Sequence, residues 1–321
     1  MVRVKFQPKQ QKEGNMSHKS HQLGSCSATG WRLIVAALSL SSVFLLLPRE
    51  GLSEELRFAV TDIVGLEELQ TEYGGFQKAL SGVSGIELRF FPVNNRTAAV
   101  EAMKSKRIDV VLTGPAEYII FRSRTNAYPI VGFSRPDYFS ALVTMANNGI
   151  NAVKDLNGKK VAFGDVGSTT KHLGPMQLLK DGGVDPLKDI QAQHVSTKIG
   201  WEALKRGDVA AFGMTYGNYL SLREKDNLEP GAYRVIARGA DMPNDPLVAG
   251  PHVDKQAIEK LKAAFQNHSQ DLIKAILTGK DTQKYRGMKF ITRIDDRDYN
   301  VVRSMYSTIG HKQFAQFVGD N

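Results

Sequence analysis

Cysteine is nearly absent: Cys26 is the only one in 321 residues. The chain can therefore close no internal disulfide, and beyond Cys26 it offers neither a thiolate metal ligand nor a cysteine nucleophile. Metal signatures are missing too. There is no H-E-x-x-H, no paired His/Cys set and no EF-hand loop, so no metal or cofactor is expected. Acidic residues are outnumbered, 33 against 42 Lys and Arg, for a formal charge of +9. That excess is concentrated at the start, where residues 1–53 hold seven basic residues and two acids. Residues 54–321 keep 35 basic and 31 acidic residues. With no dense basic face and no groove-entering motif, nucleic acid is not an expected partner.

A membrane-spanning run is also lacking. Leu33–Leu47 is apolar over 15 residues, whereas a helical span needs roughly 20. Basic, polar sequence precedes this run, Pro48 ends it, and Gly51-Leu52-Ser53 supplies small residues for cleavage before Glu54. Residues 1–53 are thus expected to be a signal peptide, with an uncleaved N-terminal anchor as the other reading. A start at Met16 would give a leader of ordinary proportions. Leu23-Gly24-Ser25-Cys26 has the look of a lipoprotein cleavage site, but it precedes the apolar run instead of following it, and Cys26 is taken as incidental. Either way the body is expected outside the cytoplasm, in the periplasm. Its length and 42% hydrophobic content suffice for one large core or two medium ones.

From Glu55 onwards short apolar strands alternate with amphipathic helices. Leu56–Thr61 has the pattern of a strand, and Leu66–Leu80 carries apolar residues at the spacing of a helix face. Glu87–Val93 and Asp109–Thr113 predict strands, with a helix over Thr97–Lys106 between them. The same order restarts with strands at Lys160–Phe163, Ile190–Val195 and Val209–Met214, and helices at Thr169–Lys180 and Ile199–Lys205. Tyr138–Ala146 and Arg234–Ala237 predict strands without attached helices. Gly239–Pro251 is rich in turn residues, and C-terminal helices are expected around Lys255–Leu277 and Asp298–Phe317. The expected fold class is α/β: two doubly wound lobes joined by hinge strands near 138–148 and 234–242. Residues 54–140 with 241–321 form the first lobe and 141–240 the second. Ligands of such sheets bind beyond the strand C-termini.

The strongest local signal is Phe163-Gly164-Asp165-Val166-Gly167-Ser168-Thr169-Thr170-Lys171-His172. A strand ends, a glycine-bearing turn follows, and three hydroxyl residues open a helix. First-turn N–H groups lack intrahelical partners and carry partial positive charge, so an anion gains hydrogen bonds there. Ordinary N-capping by Ser168 or Thr169 explains the same residues. The G-x-x-x-x-G-K-[ST] spacing of a nucleotide-binding loop is missing.

Gly-Ser-Thr-Thr at 167–170, Pro175, Gly114-Pro115-Ala116-Glu117-Tyr118 and Pro243-Asn244-Asp245-Pro246 occur in an order that resembles the phosphonate- and phosphite-binding proteins of ABC importers. These are a branch of the type II periplasmic binding proteins, and the similarity runs over 55–320. The resemblance implies a two-lobed monomer that closes on a small phosphorus oxyanion (phosphite, phosphate or phosphonate) and delivers it to an ABC permease. It places Ser168, Thr169 and Thr170 in the family's oxyanion cradle and Tyr118 at an aromatic position.

Three positions depart from the family pattern. Arg96 stands where tyrosine is frequent, Thr197 where many members have histidine, and Thr215 where some place a carboxylate. A carboxylate beside an oxyanion tolerates only a ligand that offers it a proton or an ammonium group. Its loss, with a gained arginine, points to small inorganic anions. His172, next to the cradle, is a further candidate, whereas Lys171 and Lys198 are taken as surface lysines and Tyr216 and Tyr219 as packing residues. Two rival readings remain. Ser168 as an enzyme nucleophile lacks a G-x-S-x-G elbow and a third partner. A sensor that signals to a membrane histidine kinase would share the fold.

Overall fold

Alternate residues of the central strands point to opposite faces, and both faces are apolar. In β1 (Glu55–Val60), Phe58 and Val60 enter one core cluster while Ala59 enters another. In β3 (Val110–Leu112), Val110 and Leu112 join the first cluster and Val111 the second. A strand buried on both sides must be covered on both sides, which explains the helices on each face. The computed structural model describes residues 54–314; the side chains of Arg96, Thr97 and Pro230 lie outside that description, as does the expected leader.

The first sheet also contains β2 (Glu87–Phe90), β4 (Tyr128–Phe133), β10 (Asp245–Ala249) and β11 (Phe290–Ile291), in the order β11-β4-β10-β3-β1-β2. The first cluster packs α1 (Leu66–Ser84), α7 (Lys255–Asn267) and α8 (Ser269–Ile276) against one face. The second packs α2 (Arg96–Lys104), α3 (Pro115–Thr125) and α9 (Asn300–Thr308) against the other. A fully buried side chain such as Phe76 or Tyr299 contributes roughly 2–3 kcal/mol by leaving water.

The second sheet runs β7-β6-β8-β5-β9, formed by β5 (Phe139–Met145), β6 (Lys160–Phe163), β7 (Gln191–His194), β8 (Ala211–Thr215) and β9 (Tyr233–Asp241). Its faces carry two further clusters. One is built on Trp201 and Leu204 of α5 (Thr197–Arg206) and Tyr219 of α6 (Tyr216–Lys225). The other is built on Met176 and Leu179 of α4 (Gly174–Asp181).

Both sheets are mixed. β1 pairs in parallel with β2 and β3, and β6 in parallel with β7 and β8, whereas β10, β4, β5 and β9 pair antiparallel. The two strands expected to act as hinges, β5 and β9, pair with one another inside the second sheet. The passage between sheets is made by the short segments 134–138 and 242–244 that precede β5 and β10. Five elements are not legible from periodicity: α3, β4, α6, β10 and β11. Pro243, Asn244, Asp245 and Pro246 give 239–251 the composition of a turn, yet Asp245–Ala249 is a central strand, buried at every position. Pro246 has no N–H to donate, but its carbonyl accepts from Thr113 N at 3.1 Å, so the ladder loses little there.

Candidate functional site

The parallel strands β1, β3, β6 and β8 end around one cavity of about 400 Å3. The residues that follow them line it: Asp62 and Ile63 after β1, Gly114 after β3, Asp165 after β6, and Thr215 at the end of β8. Helices start from three of these turns. Gly114 is the N-cap of α3, Ser168 that of the turn leading into α4, and Thr215 that of α6. Their unpaired N–H groups and positive dipole ends meet at the cavity, which is the arrangement that favours an anion.

The cradle itself is a wide turn over Thr169–Leu173. Leu173 N donates to Ser168 O at 2.9 Å and Gly174 N to Thr169 O, five residues apart in sequence. Such wide turns inside helices are frequent at functional sites. Its hydroxyls are organised in three directions. Ser168 Oγ caps its own turn by accepting from Lys171 N at 3.4 Å. Thr169 Oγ1 accepts from Ala116 N of α3 at 3.1 Å and shares a hydrogen bond with Tyr138, so it ties the two halves of the cavity wall together. Thr170 Oγ1 lies 2.6 Å from Thr215 Oγ1. All three hydroxyl residues are buried.

Gly213 and Gly174 allow this turn to sit close to the sheet. A Cβ at Gly213 would stand 2.5 Å from Pro175 Cβ, and one at Gly174 would stand 2.0 Å from Ser140 Oγ.

Of the other expected site residues, Tyr118, Thr197 and His172 do not line the cavity. Tyr118 is fully buried with its hydroxyl donating to Asp296 Oδ1 at 2.7 Å and its ring 4.5 Å from that of Tyr299; it packs α3 on the C-terminal segment and does not line the cavity. Thr197 opens α5 behind the edge strand β7 and is not a lining residue. Arg96 is the first residue of α2, and its side chain lies outside the described residues. His172 sits behind the cradle. Its Nδ1 accepts from Gly167 N at 3.0 Å, and its ring meets that of His194 edge-on at 4.6 Å. Burial, with His194 and His311 nearby, lowers its pKa to about 4, so the imidazole is neutral and serves as an acceptor that braces the turn.

Sequence reasoning missed the charged groups of the cavity. Arg135 and Tyr138 come from the segment 134–138 between the sheets, and Lys284 from the turn at Asp281–Tyr285. Lys284 Nζ donates to Asp62 Oδ2 at 2.8 Å. Burial works against this ammonium, but Asp62 above all, with Tyr73, holds its pKa above the ordinary lysine value. Arg135 Nη1 donates to Asp245 Oδ2 at 3.4 Å, and its guanidinium lies 3.7 Å from the centre of the Tyr138 ring. Burial raises the pKa of Tyr138 to about 12, with Arg135 pulling the other way, so its hydroxyl stays protonated.

Lys171, set aside as a surface lysine, also lines the cavity, as do the carboxylates of Asp62, Glu117, Asp165 and Asp281. The loss of one family carboxylate at Thr215 therefore does not leave the cavity free of acidic groups. Thr215 removes none of these four, and the cavity's pull on an anion comes chiefly from helix N-termini and its three cations. Asp62 and Asp165 could have been found from sequence by the rule that drew attention to 164–170, because each lies two residues beyond the end of a strand.

Two helix-covered sheets joined by two short crossings, with a polar cavity where parallel strands of both come to an end, make up the type II periplasmic-binding-protein fold. Residues 58–299 match the model of the ABC transporter phosphonate periplasmic substrate-binding proteins, and the chain belongs to that family. Its members are substrate-binding proteins, not enzymes. The chain is 25% identical over 270 residues to the phosphate-import protein PhnD of Mycolicibacterium smegmatis, covering 78% of this chain and 83% of the relative. Its fold is similar to that of a binding protein component of an ABC phosphonate transporter from Pseudomonas aeruginosa (TM-score 0.61, 17% identity, 81% and 88% of the two chains). It is also similar to PhnD1 of Prochlorococcus marinus solved with methylphosphonate (TM-score 0.59, 19% identity, 81% and 99%). Among the described residues no helix is long and apolar enough to cross a membrane.

Proposed function

We propose that this chain is the exported receptor of an ABC importer and that it captures a small phosphorus oxyanion between two lobes, built on the two sheets, for delivery to a membrane permease. The observation that carries this reading is the convergence of three helix N-termini and the Ser168, Thr169 and Thr170 turn on one cavity of about 400 Å3. That volume is at the low end for ligand pockets, as a small solute requires. The family match, and relatives named for phosphate import and for a methylphosphonate complex, support the ligand class. The apolar run at 33–47 with its following small residues supports export through a leader.

Phosphate, phosphite and methylphosphonate are the ligands of choice. 2-Aminoethylphosphonate is the discriminating compound, because its ammonium group would meet both the cations Arg135, Lys171 and Lys284 and the carboxylates of Asp62, Glu117, Asp165 and Asp281. Calorimetric titration of the purified protein with these four compounds and with sulfate tests the reading. Binding of sulfate alone, or of none of them, would overturn it.

A further inference from the structure

We propose that Arg135 is a ligand-binding residue of the cleft, presenting its guanidinium fork to two oxygens of the bound phosphorus oxyanion. This inference rests on the function proposed above and adds to it a residue outside the hydroxyl cradle.

The argument starts from an imbalance of hydrogen bonds. A guanidinium carries five N–H donors in one plane and remains charged at any physiological pH. The Arg135 side chain is only 16% exposed, yet among the described residues its one hydrogen-bond acceptor is Asp245 Oδ2, at the long distance of 3.4 Å. A buried cation with most of its donors unmatched is costly unless something else satisfies them. Arg135 lines the cavity, so the space those donors can reach is the space a ligand would fill.

Asp245 does not saturate Arg135 because it is held elsewhere. Its Oδ2 also accepts from the Tyr285 hydroxyl at 2.8 Å, and its Oδ1 is buried without a hydrogen-bond partner. Backbone geometry fixes Asp245 as the first residue of β10, in register with Phe133 of β4. It can offset the charge of Arg135 but does not meet the fork face to face. Tyr138 stacks beneath the guanidinium and limits its rotation. The result is a cation held flat, half neutralised and open along one edge to the cavity. A tetrahedral oxyanion with two free oxygens matches that edge bidentately, which a lysine at the same place could not reproduce.

The position has a mechanical consequence. Arg135 lies in the first crossing between the sheets, and Asp245 directly follows the second. An anion bound at Arg135 therefore touches the first connection directly and reaches the second only through the Arg135–Asp245 ion pair.

The test is titration of full-length wild type, Arg135→Lys, Arg135→Gln and the double variant Arg135→Gln/Asp245→Asn with phosphate and methylphosphonate. Thermal melting without ligand serves as the control for folding. The double variant removes both buried charges, so it is read where Arg135→Gln alone fails to fold; Arg135→Lys, which keeps a cation against Asp245, is read where neither neutral variant folds. Affinity for both ligands is expected to fall roughly 10- to 100-fold in the neutral variants and to an intermediate value in Arg135→Lys. Folded variants that bind within about threefold of wild type overturn the assignment of Arg135 while leaving the proposed function intact. Failure of the wild type to bind phosphate, methylphosphonate and phosphite alike overturns the functional reading itself, and with it this inference.

Discussion

Thr170 Oγ1 and Thr215 Oγ1 lie 2.6 Å apart, buried, at the point where the wide turn before α4 meets the start of α6. One hydroxyl must donate and the other accept, so the accepting one keeps its own O–H free to donate towards the cavity. The pair fixes the spacing of two helix N-termini that both face the anion site. Replacing either threonine by valine leaves the other hydroxyl unpaired, at a cost of about 1–3 kcal/mol in stability. The double Thr170→Val/Thr215→Val variant is expected to be more stable than the sum of the singles implies, by roughly 1 kcal/mol. Urea unfolding of the four proteins in a double-mutant cycle measures that coupling. Phosphate affinity should fall in the double variant even where stability is largely regained, because the cavity has lost both hydroxyls.

His172 makes the cradle's support sensitive to acid. Free imidazole takes up a proton near pH 6.5, whereas burial holds the folded His172 neutral down to about 4. Between those values the unfolded chain binds more protons than the folded one, so stability rises with pH in this window. The contribution is fully present above pH 6.5 and declines as the pH falls towards 4, by at most on the order of 3 kcal/mol. His172→Asn retains an acceptor for Gly167 N and removes the titrating group. Urea midpoints measured from pH 7 to pH 4 should show a shallower decline in that variant. Equal slopes in the two proteins would rule out His172 as the source.

These two relationships differ in how much of them is visible in the chain. Ser168, Thr169 and Thr170 can be singled out because N-capping chemistry is local, with strand, turn and hydroxyl run within ten residues. Arg135 and Lys284 cannot, since what makes them site residues is the meeting of distant segments, with Lys284 reaching Asp62 across 222 positions. The direction of the Tyr118 ring is hidden in the sequence for a related reason. A helix face carries residues towards two neighbours, and only packing against Tyr299 shows which neighbour this ring takes. The alternation of strand and helix is plain where β1, β2, β6 and β7 lead to helices with a clear apolar face, and less so at α3 and α6. It fails for β4 and β10, whose Pro129 and Pro246 are tolerated because the missing N–H groups leave most of each ladder intact.

Gly213 tests how far the cradle depends on close packing. A Cβ at this position would meet Pro175 at 2.5 Å and Phe163 at 3.1 Å, both rigid neighbours. Gly213→Ala must therefore push α4, and the turn that leads into it, away from β8. A loss of about 1–3 kcal/mol in stability is expected, as for other overpacked cores. Weaker phosphate binding should accompany it, since Thr170 rides on the displaced turn while Thr215 does not. Unfolding and titration of the same preparation check both; a destabilised protein with unchanged affinity would mean that the turn moves with β8 as one body.

The pair of Lys284 with Asp62 decides how the cavity treats the charge of its ligand. In this structure Lys284 spends one of its three donors on Asp62 at 2.8 Å and lies 5.1 Å from the centre of the Tyr285 ring, so the carboxylate competes with any incoming anion for the ammonium. Asp62→Asn relaxes that competition without removing the side chain's bulk. Affinity for phosphate is expected to rise by about fivefold, corresponding to roughly 1 kcal/mol of freed attraction, with a steeper dependence on salt. Titration at low and high ionic strength measures both effects. The contrary result is equally informative. If Asp62→Asn weakens phosphate and leaves sulfate unchanged, Asp62 accepts a proton from the ligand, because at neutral pH phosphate can carry that proton and sulfate cannot. In that case Lys284 holds Asp62 in place as the acceptor, and selection between the two anions rests on the carboxylate and not on the cation.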